Sequence, residues 1–300
     1  MEQSNSERPG LPSTIPSPLQ SVGLVAGAVL LLVSAQILFQ GLGAKLFFTA
    51  EQQAQITDPD TSLFLHHPLW IVMGTAIPEL VLGSALVTLA LRRHMPLEVV
   101  FPLRVPGVVT LIGALLVVLG LTPLADAVYT VAARLFGSDV GVEAPAMLKR
   151  SLAGAGLAQL VGVLFGFAIV PALVEESLFR GLVTAAHRRS FWAALFAPAV
   201  LFGLMHLEPA QAAGTMILGV AFGLARLFSG SLATAIFAHA AYNGVVIVAT
   251  YLDPASADST PTTATVVGGV LVAVVGVLLL PMGRVAEPRP PAPAERSSDE

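Results

Sequence analysis

The chain has 300 residues, 55% of them hydrophobic and 11% charged, with a net charge of −4 and a mean hydropathy of +0.81. Soluble domains carry about 25% charged residues, so this composition excludes an ordinary soluble domain and specifies an all-α polytopic membrane protein. The absence of cysteine excludes disulfides, thiolate metal sites and a Cys nucleophile, and the absence of a basic cluster speaks against a nucleic-acid partner.

Residues 1–18 are rich in Pro and Ser, with Arg8 as their one positive charge. They read as a disordered tail, because the apolar run that follows is too long for the core of a signal peptide. A run of about 20 apolar residues crosses a bilayer as a helix. The candidates are 19–39, 68–91, 105–124, 152–174, 191–207, 213–228, 231–250 and 263–283. The expected fold is therefore a bundle of about eight transmembrane helices with an intramembrane polar site. The fifth and sixth runs are short, and no internal repeat is visible. Pro123, Pro171, Pro198 and Pro281 fall near span ends or at kinks that neighbouring helices can accommodate.

The organisation expected is an N-terminal set of helices with an interfacial segment (19–150), a core (151–250), a last loop and helix (251–283), and a Pro-rich, mixed-charge tail (284–300). In 125–150 the charges Asp126, Arg134, Asp139, Glu143, Lys149 and Arg150 are spread among apolar residues. A helix lying at the interface and a polar loop fit this segment equally well. His66 and His67 precede Pro68 at a span edge and read as interfacial.

Lys and Arg set the orientation. With the N-terminus cytoplasmic, the inner side holds Arg8, Arg92, Arg93, Arg104, Arg188, Arg189, Arg226, Arg284, Arg289 and Arg296, and the outer side Lys45, Arg134, Lys149 and Arg150. That ten-to-four bias places both termini in the cytoplasm. Abundant Ala, Val and Leu with few Lys suggest a GC-rich bacterial gene, and so a bacterial inner membrane.

Three polar clusters interrupt the second half: Glu175-Glu176-Ser177-Leu178-Phe179-Arg180, Phe202-Gly203-Leu204-Met205-His206 and His239-Ala240-Ala241-Tyr242-Asn243. Ionisable groups inside a membrane are expensive and mark functional sites by default. Adjacent helical residues point about 100° apart, so Glu175 and Glu176 cannot face one partner. Glu176 and Arg180 are four apart in the favourable order for an ion pair. Arg180 then neutralises Glu176 and leaves Glu175 as the available carboxylate, a candidate general base.

His206 strengthens that reading. Glu175 lies fifteen residues before Ser190 and His206 sixteen after it. A hairpin turning at Ser190 brings both to one depth, about 22 Å from the turn at 1.5 Å per residue, where they can hold a water. Phe202, one turn before His206, can wall the pocket. His239 and Asn243, also four apart, can donate to an oxyanion or serve as interhelical hydrogen-bonding groups. Glu79 is buried by position but belongs to no motif. Gly219 and Gly223 form a small-xxx-small pair, which favours close helix packing.

In their order these motifs resemble the CPBP family, the CAAX-type intramembrane proteases and bacteriocin-processing or self-immunity proteins. Its Glu-Glu-x-x-x-Arg, Phe-x-x-x-His and His-x-x-x-Asn motifs are all met without substitution, over 175–243. The resemblance implies an intramembrane endopeptidase acting on a membrane-anchored protein or peptide. It further implies that Glu175 and His206 activate water, that His239 and Asn243 stabilise the oxyanion, and that Glu176 and Arg180 support them. No cofactor is then required. The alternative is one divalent metal, zinc by preference, on Glu175, His206 and His239, although no HExxH is present. A silent immunity or scaffold protein of the same fold is the competing function. A transporter using Glu175 and Glu79 as proton relays is disfavoured by the lack of half-chain symmetry.

Overall fold

The structure is a computed structural model that describes residues 14–54, 72, 74–137, 148–149, 151–255 and 260–286. Eight long helices form its frame: α1 Pro18–Phe47, α2 Ala76–Arg92, α3 Val108–Phe136, α4 Leu157–His187, α5 Phe191–Met205, α6 Pro209–Ser229, α7 Leu232–Leu252 and α8 Thr263–Leu279. Single turns at Ala50–Ala54 and Leu97–Val100 and a 3₁₀ turn at Leu280–Gly283 fill connections. No strand occurs among the described residues. Six of these helices are long and apolar enough to cross a membrane, and α5 is a shorter apolar helix. The chain is a polytopic helical bundle, as its composition requires.

Local chemistry starts and stops the helices. Ser17 and Gln20 form a capping box at α1, and Ser190, Glu208, Ser231 and Thr262 each cap the helix that follows through a side-chain oxygen. Gly137 and Gly230 end α3 and α6 in the left-handed conformation, at φ 64° and 75°, where a side chain would be strained.

Some boundaries differ from the apolar runs. The N-terminal tail expected through residue 18 ends earlier, because Ile15 is buried in the core and α1 begins at Pro18. The third span does not stop near 124: α3 continues through Pro123 to Phe136, so Asp126 and Arg134 lie on a transmembrane-length helix rather than on a separate interfacial segment or loop. Proline at 123 removes one N–H, but a helix packed among others tolerates that loss. At the other end, Val285 N–H donates to the Ser229 carbonyl (2.9 Å) and Arg104 Nη1 to the Ala286 carbonyl (3.0 Å), so residues 284–286 are fixed to the bundle. Residues 1–13, 287–300, His66, His67, Asp139, Glu143 and Arg150 lie outside the described residues.

The 18-residue apolar windows of α1 and α8 are each only 17% buried, against 56% for α6, which places α6 at the centre and the other two at the periphery. Small residues permit the closest approaches. A Cβ on Gly113 of α3 would fall 2.8 Å from the Gly276 carbonyl oxygen of α8, and one on Gly219 of α6 would fall 2.9 Å from Ala199 Cα of α5. The small-xxx-small pair of α6 thus seats α5, with Gly223 meeting Leu195 one turn on.

One end of the bundle gathers its connections. Leu232 N–H donates to the Pro102 carbonyl, Ser231 Oγ to the Arg104 carbonyl and Thr110 Oγ1 to the Leu280 carbonyl, while the Phe191 and Phe228 rings meet edge to face at 5.8 Å. Arg104, Arg188, Arg189 and Arg284 belong to these connections, so the chain groups its positive charge at one end.

Candidate active site

The site is built by α4, α5, α6 and α7, and α4 is wound unevenly where it matters. Phe165–Ile169 and Ser177–Val183 are π-helical, the second stretch starting directly after Glu175-Glu176. Such widened turns inside α-helices occur often at functional sites. The Thr184 hydroxyl donates to the Phe179 carbonyl (3.1 Å), taking up an acceptor in the widened turn.

Glu176 and Arg180 are both fully buried, at 0% exposure. Arg180 Nη1 donates to Glu176 Oε1 at 2.9 Å, the pair the four-residue spacing predicts. Arg180 Nη2 donates to the Gly219 carbonyl at 2.6 Å. Gly219 therefore brings α6 against α5 and offers its carbonyl to the guanidinium. The guanidinium also lies over the Phe202 ring, 4.8 Å from its centroid, and 5.3 Å from that of Phe222. Aromatic faces replace part of the hydration that burial removes.

Glu176 Oε1 accepts a second bond, from His239 Nδ1 at 2.9 Å. This contact joins α4 to α7 across 63 positions and was not expected from the sequence, where His239 is grouped with Asn243. The other ring nitrogen, Nε2, lies 3.9 Å from Glu175 Oε2. That is too long for a hydrogen bond but close enough for one water or substrate group, set to the side, to contact both. Glu175 itself is 8% exposed and makes no hydrogen bond through its carboxylate among the described residues. Among the described residues the two neighbouring glutamates thus differ: Glu176 accepts two bonds on Oε1 while its Oε2 is buried without a partner, and Glu175 makes none.

His206 is half-buried at the end of α5, and its Nδ1 lies 3.0 Å from the Phe202 carbonyl. A carbonyl only accepts, so Nδ1 carries the hydrogen and Nε2 presents a lone pair, the form a base requires. The chain then turns sharply. Glu208 N–H reaches back to the His206 carbonyl (2.7 Å) around Leu207, whose φ of 62° is unusual for a bulky residue. Asn243 is half-buried and donates from Nδ2 to the Phe167 carbonyl (2.9 Å), in the first π-helical stretch of α4.

Phe202, 2% exposed, is the hub of the site. Its ring meets His206 at 5.2 Å, His239 at 5.7 Å, Phe179 at 5.4 Å and Phe222 at 6.0 Å, each edge to face. Phe222 stacks on His239 at 4.6 Å and 14°. Of the residues selected from the motifs, His206, His239 and Arg180 meet the Phe202 ring, Glu176 and Glu175 join through Arg180 and His239, and Asn243 reaches the Phe167 carbonyl. Phe222 and Phe179 are additions, and of these Phe222 lies in no motif; its spacing of three from Gly219 was the only sign of its face.

Among the described residues no group of three His, Asp or Glu side chains is arranged to hold an ion. His239 Nδ1 is directed to Glu176 and His206 Nδ1 to a backbone carbonyl, which leaves Nε2 of each ring available.

A helical membrane bundle with a buried, internally compensated carboxylate–imidazole site is the class this geometry defines. Residues 157–245 match the family model described as Rce1-like, type II CAAX prenyl endopeptidase, so this segment is similar to the CAAX-type intramembrane proteases. The match takes in every motif residue from Glu175 to Asn243 and leaves α1, α2, α3 and α8 outside. No curated protein and no solved structure matches the chain.

Proposed function

We propose that the protein is an intramembrane endopeptidase that hydrolyses a peptide bond of a membrane-anchored protein or peptide by a glutamate-dependent, metal-independent route. The observation that carries this reading is the division between Glu175 and Glu176. Arg180 and His239 occupy Glu176, while Glu175 stands free beside His239 Nε2.

In this reading Glu175 and the Nε2 lone pair of His206 polarise a water, whose oxygen attacks the scissile carbonyl carbon as Glu175 takes its proton. The carbonyl oxygen becomes an oxyanion facing His239 and Asn243. His239 donates from Nε2 only when its ring carries both protons, and the Glu176 carboxylate at Nδ1 stabilises that cation, as a carboxylate behind a catalytic histidine does. The tetrahedral species collapses, the C–N bond breaks, and Glu175 returns its proton to the leaving amine. Glu176, Arg180 and Phe202 hold the donors in place. Both termini are cytoplasmic in this account, with the arginine-rich end of the bundle inward.

Co-expression with membrane-anchored candidate substrates, read by mass spectrometry of the cut ends, tests the activity. New termini are expected with the wild type and absent with Glu175→Ala. Identical products from both, or none from any candidate, favour the non-catalytic scaffold of the same fold.

A further inference from the structure

Outside the matched segment, α2 carries one acidic residue deep in the bundle. Glu79 is 5% exposed, and its Oε2 is buried without a hydrogen-bond partner. A lone carboxylate in such a place is costly unless something neutralises it.

The packing of α2 on α4 shows what faces it. Gly83, one turn after Glu79 on the same side of α2, lies against Val174, and a Cβ there would fall 3.1 Å from Val174 Cγ2. Val174 is the neighbour of Glu175. The absence of a side chain at Gly83 draws the two helices together at the level of the site, with Glu79 one turn from that contact.

Among the described residues no cation is placed to compensate both. Helix α1, which also packs on α2, carries one titratable residue, Lys45, exposed in its last turn. The Phe165–Ile169 stretch, also against α2, carries none. Arg92 of α2 stands at the helix's other end. Arg180 is committed to Glu176 and to the Gly219 carbonyl.

We propose that Glu79 is a positioning residue of the site, forming with Glu175 a carboxyl pair that holds one proton between its two members. Two carboxylates in a low-dielectric site do not both ionise, and one of such a pair keeps a proton. The protonated partner, through a water, orients the ionised one and prevents two unpaired charges from standing in the membrane interior. The inference rests on the assignment of Glu175 as the base.

The test uses the full chain in lipid nanodiscs and has two arms. Infrared spectroscopy at neutral pH reads the protonated-carboxyl band, which needs no substrate. The band is expected in the wild type and altered in frequency or amplitude in both Glu79→Gln and Glu175→Gln. A band unchanged in Glu79→Gln, or none in the wild type, overturns the pair.

The kinetic arm compares Glu79→Leu with Glu79→Gln. A residue acting through a catalytic group typically contributes about 10–100-fold, so Glu79→Leu should lower kcat by that factor with KM unchanged. Glu79→Gln, which keeps the shape and a hydrogen-bond donor, should restore most of kcat. Wild-type kcat in a folded Glu79→Leu protein overturns the proposal, and so does an equal loss in Glu79→Gln. If the wild type cleaves nothing, the proposed function fails while the infrared arm still decides the pair.

Discussion

His239 Nδ1 and Arg180 Nη1 converge on the same oxygen, Glu176 Oε1, each at 2.9 Å. Glu176 is thereby the junction through which α4 fixes the imidazole of α7 and, through Arg180, the backbone of α6. The carboxylate most deeply buried in the site is its organiser, and its less buried neighbour Glu175 is the base in the function proposed above.

Removing the arginine should undo the junction. Arg180→Ala leaves Glu176 as an uncompensated buried charge, a change that typically costs about 3–5 kcal/mol. Arg188→Ala, at a partly exposed connection between α4 and α5, should cost far less. Thermal unfolding of the two variants in detergent compares them, and equal midpoints would count against the pairing. Arg180→Lys should fall short of rescue, since one ammonium does not reproduce the planar fork that reaches Glu176 and the Gly219 carbonyl together.

The α5–α6 contact predicts a contrast among glycines. Gly219→Ala places a Cβ 2.9 Å from Ala199 Cα, so backbone must shift and the carbonyl that Arg180 uses shifts with it. Gly27→Ala meets nothing within 4 Å on α1 and should be neutral or stabilise by up to about 1 kcal/mol. Melting curves of both variants, with reporter cleavage measured alongside, check this. A harmless Gly219→Ala would show that the helices are farther apart than described.

Metal removal separates the two chemistries considered for Glu175, His206 and His239. Activity should survive exhaustive chelation, and elemental analysis of purified protein should find far less than one metal per chain. Zinc co-purifying one to one, with cleavage lost on its removal and restored on its return, would reassign both histidines as ligands.

Orientation is checked with reporter fusions at the two tails and in the 251–262 connection. Alkaline phosphatase should be inactive at both tails and active in that connection. The reverse pattern would invert the bundle and place the arginine-rich end outside.

Much of this organisation was legible in the residues themselves. The polytopic helical bundle followed from apolar run length, the Glu176–Arg180 pair from helical spacing, and the seating of α5 on α6 from Gly219 and Gly223. What stayed hidden depends on how distant segments meet. Nothing in local spacing directs His239 to Glu176, because the contact forms only when α7 docks on α4. Apolar periodicity also does not distinguish π from α winding, so the widened turns after Glu176 left no signal. Helix α3 outran its apolar stretch because Asp126 and Arg134 interrupt the hydropathy without interrupting the helix. Glu79 showed its burial by position.

The account depends most on the unequal roles of two adjacent glutamates, and one comparison measures it. Cleavage of a membrane-anchored reporter should be followed with purified wild type, Glu175→Gln and Glu176→Gln in lipid, each first shown to be folded by its thermal transition. Glu175→Gln keeps the shape and removes the base, so it should abolish cleavage while melting like the wild type. Glu176→Gln loosens His239 and Arg180, so it should lower the melting point and slow cleavage without abolishing it. Full activity in a folded Glu175→Gln protein would contradict the account.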